Sequence, residues 1–135
     1  MDFEDLFGGK PIPVELKAKD RWDAIEELIE SLVLSSKINR ANEQAIKQAV
    51  RKRESAMTTG IGAGVALPHA RIDLVAEPIA AVGYSKQGID FDSLDRQPVT
   101  LVCLYLIPQS QSQQHLHTLA NLAKFLPSLR KQLLL

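Results

Sequence analysis

The segment from Val99 to Ile107 is almost entirely apolar: only Thr100 interrupts it before Pro108 follows. A strand with one wet face alternates apolar and polar residues, whereas a near-continuous apolar run is typical of a central strand covered on both faces. With 135 residues, 45% of them hydrophobic, the chain can bury a proper core around such a strand. The sequence therefore predicts a single domain, residues 1–135, whose sheet is covered on both sides.

Helical patterns occur before and after this strand. Asp20 is a suitable N-cap for a first helix. The apolar stripe of that helix consists of Trp22, Ile25, Leu28, Ile29, Leu32 and Val33. A second helix is predicted from about Asn42 to Glu54, and a third from His115 to Leu126. The residues of the third helix that are expected to face inward are Leu116, Leu119, Ala120, Leu122, Ala123 and Leu126. Pro127 is expected to separate the third helix from a last segment, 129–135.

Shorter apolar segments predict further strands at Val14 to Ala18, Val65 to Leu67 and Ile79 to Ser85. Residues 1–13 are expected to form a loosely held arm, and residues 86–88 a turn. The predicted order is strand, two helices, three strands, then helices. This pattern does not fix the order of the strands within the sheet.

The charge balance limits the classes of partner. Sixteen basic and sixteen acidic residues give a net charge of zero, which argues against nucleic acid or an anionic membrane surface. No apolar run approaches the roughly 18 residues of a membrane span, and the acidic N-terminus is unlike a signal peptide. The single cysteine, Cys103, excludes an intrachain disulfide and lies in an apolar setting typical of an inert thiol. These features predict a cytoplasmic protein.

The segment from Arg53 to Arg71 combines residue types that bind and accept phosphoryl groups. Its three glycines, Gly60, Gly62 and Gly64, allow backbone N–H groups to approach an anion. The planar guanidinium group of arginine can donate two parallel hydrogen bonds to phosphate oxygens. His69 is a neutral nucleophile at physiological pH without large tuning. The glycine spacing does not fit a dinucleotide fingerprint, and no Gly-Lys-Ser/Thr follows, so neither a nucleotide nor another cofactor is expected.

This segment resembles the enzyme IIA domain of the mannitol, fructose and nitrogen-regulatory branches (type 2) of the bacterial sugar phosphotransferase system. The matching motifs are the Arg53-Glu54 pair, Thr59-Gly60-Ile61-Gly62 and Ala66-Leu67-Pro68-His69, and the similarity continues through 88–95 and His115-Leu116. The resemblance implies an α/β fold (α+β), a three-layer α/β/α sandwich with a mixed sheet. Relatives usually continue beyond the position that corresponds to residue 135. The sequence therefore leaves open whether the C-terminal helix is truncated or is unusually short.

The resemblance also implies the roles of individual residues. His69 is the expected phosphoryl carrier and His115 the second histidine of the site. Arg53, Thr59, Gly60 and Gly62 are the expected phosphate-binding residues, and Glu54 is expected to fix the arginine or the loop. For an arbitrary histidine, a hydrogen-bonded core position would be the alternative.

His117 offers a competing interpretation, because His115 and His117 together could be a pair of metal ligands. Residues two apart on a helix point about 200° apart, and no cysteine or carboxylate stands at ligand spacing. No metal site is therefore expected.

The sequence leaves three candidate functions, each from a different class of protein. The first is a transferase in sugar transport, a phosphocarrier that accepts a phosphoryl group from HPr or a similar carrier and passes it to a cysteine of an EIIB domain. The second is a nitrogen-type regulator that binds target proteins according to its phosphorylation state. The third is a scaffold without phosphorylation, against which Arg53, His69 and His115 together argue. The sequence leaves open the sugar, the oligomeric state and which nitrogen of His69 is phosphorylated.

Overall fold

The computed structural model of the protein describes residues 3–133, apart from the side chains of residues 3, 4 and 112. Within these residues the fold comprises four α-helices and six strands. In chain order they are α1 (Phe3–Phe7), β1 (Val14–Glu15), α2 (Arg21–Leu34), α3 (Glu43–Ala56), β2 (Gly60–Gly62), β3 (Val65–Ala66), β4 (His69–Arg71), β5 (Ile79–Ile89), β6 (Val99–Ile107) and α4 (Ser112–Gln132). Short 3₁₀ turns precede α3 and α4.

The strands form one mixed sheet in the order β1-β5-β6-β3-β2, with β4 also paired to β6. β6 is antiparallel to β5 and parallel to both β3 and β4, which follow one another along the same edge of β6. Every residue of β6 except Thr100 is buried, as predicted for a central strand. Among the described residues, β4 pairs only with β6. The other edge of β4 carries no strand within these residues, and the site described below lies beside it.

Two hydrophobic clusters lie on opposite faces of the sheet. On one face α2 and α3 pack through Leu28, Ile46 and Val50. On the other face α1 and α4 pack through Leu6 and Leu122. Successive residues of β6 alternate between the two clusters, with Val102, Leu104 and Leu106 in the first and Leu101, Cys103, Tyr105 and Ile107 in the second. The predicted three-layer α/β/α sandwich is confirmed.

The N-terminal prediction needs two corrections. Residues 3–7 are helical rather than a loose arm, and Leu6 is 2% exposed because α1 packs on the sheet. The predicted strand Val14 to Ala18 is limited to Val14–Glu15. Val14 is 39% exposed while Leu16 is buried, so the two do not share one environment.

The predicted turn at residues 86–88 is instead part of β5. The register shifts between Tyr84 and Ile89, which marks an irregularity inside the strand. Gly88 has a φ of +83°, and its N–H donates to the Ser85 hydroxyl at 3.1 Å. The turn residues therefore bend the strand without ending it, as in a β-bulge.

The predicted bounds of the last helix were wrong, and its predicted inward face is confirmed only in part, at Leu122 and Leu126, which are buried. α4 begins at Ser112 and continues through Pro127, and Leu116 (70% exposed) and Ala120 face solvent. The buried positions are His115, Thr118, Leu122, Leu126 and Leu129. Packing of Leu126 and Leu129 on either side of the proline holds the helix together where local propensity would end it. Leu134 and Leu135 of the predicted last segment lie outside the described residues.

The predicted N-cap at Asp20 is confirmed. The Asp20 carboxylate accepts a hydrogen bond from the Asp23 N–H at 2.9 Å and caps α2. Phe91 is completely buried in the core beneath α2 and α3. Among residues 3–133, no helix combines the length and the apolar character needed to cross a membrane.

Candidate functional site

An open pocket lies where β4 meets the end of α3 and the start of α4. Lys52 and Arg53 line it from the last turns of α3, and His69 and Arg71 from β4. From the other side it is lined by the segment that enters α4, including Gln109, His115 and Leu116. Its volume of about 760 Å³ lies within the range typical of ligand sites, roughly 300–1,000 Å³.

His69 is the first residue of β4 and is fixed by its neighbours. The carbonyl of Pro68 accepts a hydrogen bond from the Tyr105 N–H at 3.0 Å, which anchors the chain beside β6. Nδ1 of His69 lies 2.8 Å from the carbonyl oxygen of Leu67. Because a carbonyl only accepts hydrogen bonds, Nδ1 carries the proton in this arrangement and Nε2 keeps the free lone pair.

The surroundings of His69 favour the neutral imidazole. Burial lowers the pKa of His69 to about 4, and the nearby Arg53, His115 and Arg71 act in the same direction, against the hydrogen bond to Leu67. The ring is therefore unprotonated on Nε2 at neutral pH. A free lone pair is what a nucleophile requires.

His115 lies in the first turn of α4, beside His69. The centroids of the two rings are 5.5 Å apart, and their planes are tilted by 48°. Burial lowers the pKa of His115, and Arg71 and Arg53 lower it further. The structure thus brings together both histidines predicted from the sequence.

The charged residues that line the pocket, among those the structure describes, are all basic: Lys52, Arg53 and Arg71. Arg53 is held at the edge by a hydrogen bond of 2.9 Å from Nη1 to the carbonyl of Met57. The N-terminal turn of α4 adds the positive potential of a helix start. The pocket therefore suits a small, multiply charged anion such as a phosphoryl group.

Glu54 and Thr59 lie next to this pocket but do not line it. The buried Glu54 carboxylate accepts hydrogen bonds from the Thr59 N–H (3.0 Å) and hydroxyl (2.5 Å), and Arg21 Nη1 lies 3.5 Å away. Glu54 thus fixes the loop, one of the two roles considered from the sequence. The predicted phosphate contact of Thr59 stays a prediction, since its hydroxyl is used within the fold.

The three glycines build the β2–β3 hairpin, outside the pocket lining. The Gly60 N–H donates to the Thr58 hydroxyl at 3.0 Å, and a Cβ on Gly60 would lie 2.3 Å from Ser93 Oγ. Gly62 and Gly64 have φ values of +98° and +75°. Close packing and a tight turn therefore account for the glycines, and phosphate binding by Gly60 and Gly62 stays a prediction.

Some features of the site were missed or weighed lightly in the sequence. Neither Lys52 nor Arg71 was among the predicted site residues, yet both line the pocket. Tyr105 stacks on His115 and was hidden within the apolar strand. His117 is exposed on another face of α4. Within the described part of the chain, no group of three His, Cys, Asp or Glu side chains is arranged to hold a metal ion.

Comparison with known proteins gives one family. The family described as "Phosphoenolpyruvate-dependent sugar phosphotransferase system, EIIA 2" matches residues 6–134. The PTS system fructose-specific EIIABC component of Bacillus subtilis is 37% identical over an alignment of 136 positions, which covers 99% of this chain and 21% of that protein. The chain thus spans about a fifth of the length of this relative.

Two further similarities concern nitrogen regulation. The nitrogen regulatory protein of Bradyrhizobium diazoefficiens is 32% identical over 93% of this chain and 80% of that protein. The crystal structure of nitrogen regulatory protein IIA-Ntr from Neisseria meningitidis superposes with a TM-score of 0.72 and 28% identity. That superposition covers 82% of this chain and 74% of the Neisseria chain.

Proposed function

The chain belongs to the EIIA type 2 family of the phosphoenolpyruvate-dependent sugar phosphotransferase system, whose members transfer phosphoryl groups, and we propose that it carries the phosphoryl group on Nε2 of His69. The observation that carries this assignment is the 2.8 Å contact between His69 Nδ1 and the Leu67 carbonyl. It leaves Nε2 unprotonated within a pocket whose charged residues are basic among those described. No cofactor takes part in the proposed transfer.

The proposed reaction exchanges one N–P bond for another. Nε2 of His69 attacks the phosphorus of a phosphohistidine on an HPr-like carrier, and the carrier's imidazole leaves as the N–P bond breaks. Because Nδ1 keeps its proton against Leu67, the phosphorylated ring is cationic and is itself a good leaving group. The phosphoryl group then passes to a cysteine thiolate of an EIIB domain. Positioning and electrostatics supply most of the catalysis in such a transfer.

Arg53 and Arg71 neutralise the phosphoryl oxygens in this proposal, and His115 donates a hydrogen bond to them. The positive charge that lowers the pKa of free His69 stabilises the phosphorylated form. Thr59 and Gly60 hold the loop between α3 and β3 through hydrogen bonds to Glu54 and Thr58. Gly62, with a φ of +98°, allows the turn that follows. A cytoplasmic location, where such carriers act, is part of the proposal.

A regulatory role is the second candidate. The relatives from Bradyrhizobium and Neisseria carry the name nitrogen regulatory protein, which supports a protein that binds targets according to its phosphorylation state. The fructose-specific name of the Bacillus relative supports transport equally well. An acceptor assay separates the two: transfer to an EIIB cysteine supports transport, and a stable complex without transfer supports regulation.

The intact mass of the protein after incubation with phosphoenolpyruvate, enzyme I and HPr tests the assignment. We expect one acid-labile phosphoryl group on the wild type, one on the His117→Ala control and none on His69→Ala. His115→Ala should be phosphorylated more slowly. An unmodified wild type, with HPr and with the nitrogen-branch carrier, would overturn the proposal in favour of an unphosphorylated scaffold.

A further inference from the structure

Lys52 lines the pocket beside Arg53, yet the proposed transfer gives it no role. The residues of α3 that line the pocket are Ala49, Lys52, Arg53 and Ala56. Their spacing along the chain places them on one face of the helix. Because the two alanine side chains end at Cβ, the two long cationic side chains between them have open space around them on this face.

The other basic side chains of α3 are engaged within the fold. Nζ of Lys47 lies within 3.7 Å of two carboxylates, the guanidinium of Arg51 packs on the ring of Trp22, and Arg53 donates to a backbone carbonyl. No carboxylate of the described residues lies within salt-bridge distance of Lys52. Its ammonium group is therefore available to an anion that enters the pocket.

The two arginines of the pocket lie nearer to the histidines than Lys52 does. The charges of Arg53 and Arg71 lower the pKa of His69 and of His115, and they are the cations that act on His115. Lys52 is an exposed residue of the same pocket. It therefore lies farther out, where it meets an incoming anion before that anion reaches His69.

We propose that Lys52 is a further phosphoryl-binding residue, whose ammonium group contacts the phosphoryl group while that group is still bonded to its donor. The inference rests on the proposed function, because it concerns how the phosphoryl group reaches His69. The pocket, at about 760 Å³, has room for the donor's imidazole as well as the phosphoryl group. A contact made equally in the bound donor complex and in the transition state lowers KM and leaves kcat unchanged.

Lys52→Met removes the charge and keeps a long, unbranched side chain of similar helix propensity, so the fold should be unaffected. Lys47→Met is the matched control, since it removes the same charge from the same helix outside the pocket lining. Nζ of Lys47 lies 3.6 Å from Glu26 and 3.7 Å from Glu43, so it serves the packing of α3 on α2.

Two phosphoryl donors, phospho-HPr and phosphoramidate, separate the phosphoryl group from the protein that carries it. Phosphoramidate offers no protein surface: its N–P bond breaks and ammonia leaves as the bond from phosphorus to Nε2 of His69 forms. A contact with the phosphoryl group affects both donors, whereas a contact with the carrier's surface affects phospho-HPr alone.

We expect Lys52→Met to lower kcat/KM about three- to tenfold with both donors, and with phospho-HPr the change should lie in KM. Lys52→Glu should lower kcat/KM further, because a carboxylate repels the phosphoryl group. The difference between wild type and Lys52→Met should shrink at an ionic strength of about 1 M, where the Debye length falls to about 3 Å, whereas an effect of altered packing would persist. Lys47→Met should keep wild-type kinetics.

Three outcomes would overturn the inference: wild-type kcat/KM in Lys52→Met, the same loss in Lys47→Met, or a loss with phospho-HPr alone. Titration of the unphosphorylated variants with inorganic phosphate, followed by NMR shifts of the pocket residues, gives a readout that needs no transfer. Weaker phosphate binding in Lys52→Met than in Lys47→Met supports the inference, and equal binding contradicts it. If neither donor phosphorylates the wild type, the proposed function fails, and the phosphate titration still decides whether Lys52 binds such an anion.

Discussion

The imidazole of His69 is surrounded by groups that repel a proton. Burial has the largest effect on its pKa, and Arg53, His115 and Arg71 add to it. The ring therefore stays neutral over the physiological range, where an ordinary histidine with a pKa of about 6.5 would be partly protonated. Phosphorylation places an anionic phosphoryl group on Nε2, where a proton is disfavoured. Arg53 and Arg71, which disfavour that proton, attract the phosphoryl group.

The pH dependence of stability should reveal this environment. The unfolded chain takes up a proton on residue 69 near pH 6.5, while the folded state does so only near pH 4. The contribution of neutral His69 is thus fully present above pH 6.5 and is lost as the pH falls to 4, by up to about 3 kcal/mol. Urea unfolding between pH 4 and 8 should show this loss in the wild type and the exposed control His117→Gln, and a smaller one in His69→Gln. Equal slopes in all three would contradict the assigned pKa.

Arg53 is expected to act as the phosphate clamp. Arg53→Ala should lower kcat/KM for phosphorylation by about 10- to 100-fold, because a charge-assisted hydrogen bond is lost. Arg53→Lys should recover only part of this, since an ammonium cannot form a bidentate contact. Arg51→Ala is the control, because Arg51 packs on Trp22 and does not line the pocket. Wild-type kinetics in Arg53→Ala would remove this residue from the site.

At the scale of elements, Glu54 joins α3 to the hairpin that follows it. Its carboxylate receives both hydrogen bonds from Thr59, and Arg21 at the start of α2 supplies the neighbouring positive charge. These contacts fix the route of the chain between Arg53 and His69. The distance between the clamp and the nucleophile therefore depends on buried groups outside the pocket.

Thr59→Val tests whether this threonine serves the fold or the phosphate. Loss of its hydroxyl leaves an oxygen of the buried Glu54 unpaired, so we expect a stability loss of about 1–3 kcal/mol in urea unfolding. Thr59→Ser, which keeps the hydroxyl, should lose less. If the hydroxyl acts only within the fold, KM for the phosphoryl donor should stay unchanged in both variants. A large rise in KM for Thr59→Val alone would support the direct phosphate contact predicted from the sequence.

The far end of α4 lies against the hairpin. Arg130 Nε donates to the Thr100 hydroxyl at 2.7 Å, and a Cβ on Gly64 would lie 2.3 Å from that nitrogen. Gly64→Ala should therefore destabilise the protein by about 1–3 kcal/mol, through the clash and through its φ of +75°. In an Arg130→Ala background the same change should cost less, because only the backbone strain remains. Equal costs in both backgrounds would show that the clash contributes nothing.

At the scale of the whole molecule, chemical labelling of Cys103 can measure global unfolding. It lies at the middle of β6 with no exposed surface, and burial raises the pKa of its thiol. We expect a thiol reagent to label it only through unfolding, with a rate that rises with urea in proportion to the unfolded fraction. Rapid labelling in buffer would show that this side of the sheet opens locally.

The sequence by itself determined the elements whose signal is local. The apolar run at 99–107 gave the central strand, and Asp20 marked the start of α2. The motifs at Arg53, His69 and His115 pointed to residues that do meet in one pocket. Each of these signals depends on residues close together in the chain, or on a motif that can be read directly.

The tertiary structure decided what depends on distant residues. Pairing across the sheet sets Tyr105 opposite His69, and a continuous apolar run cannot reveal such a partner. The true inward face of α4 includes His115 and Thr118, which a count of apolar residues overlooks. The glycines resembled a phosphate loop, yet their neighbours Ser93, Asp95 and Arg130 come from other parts of the chain. Packing between separated segments fixed all of these features, because only the folded chain brings those segments into contact.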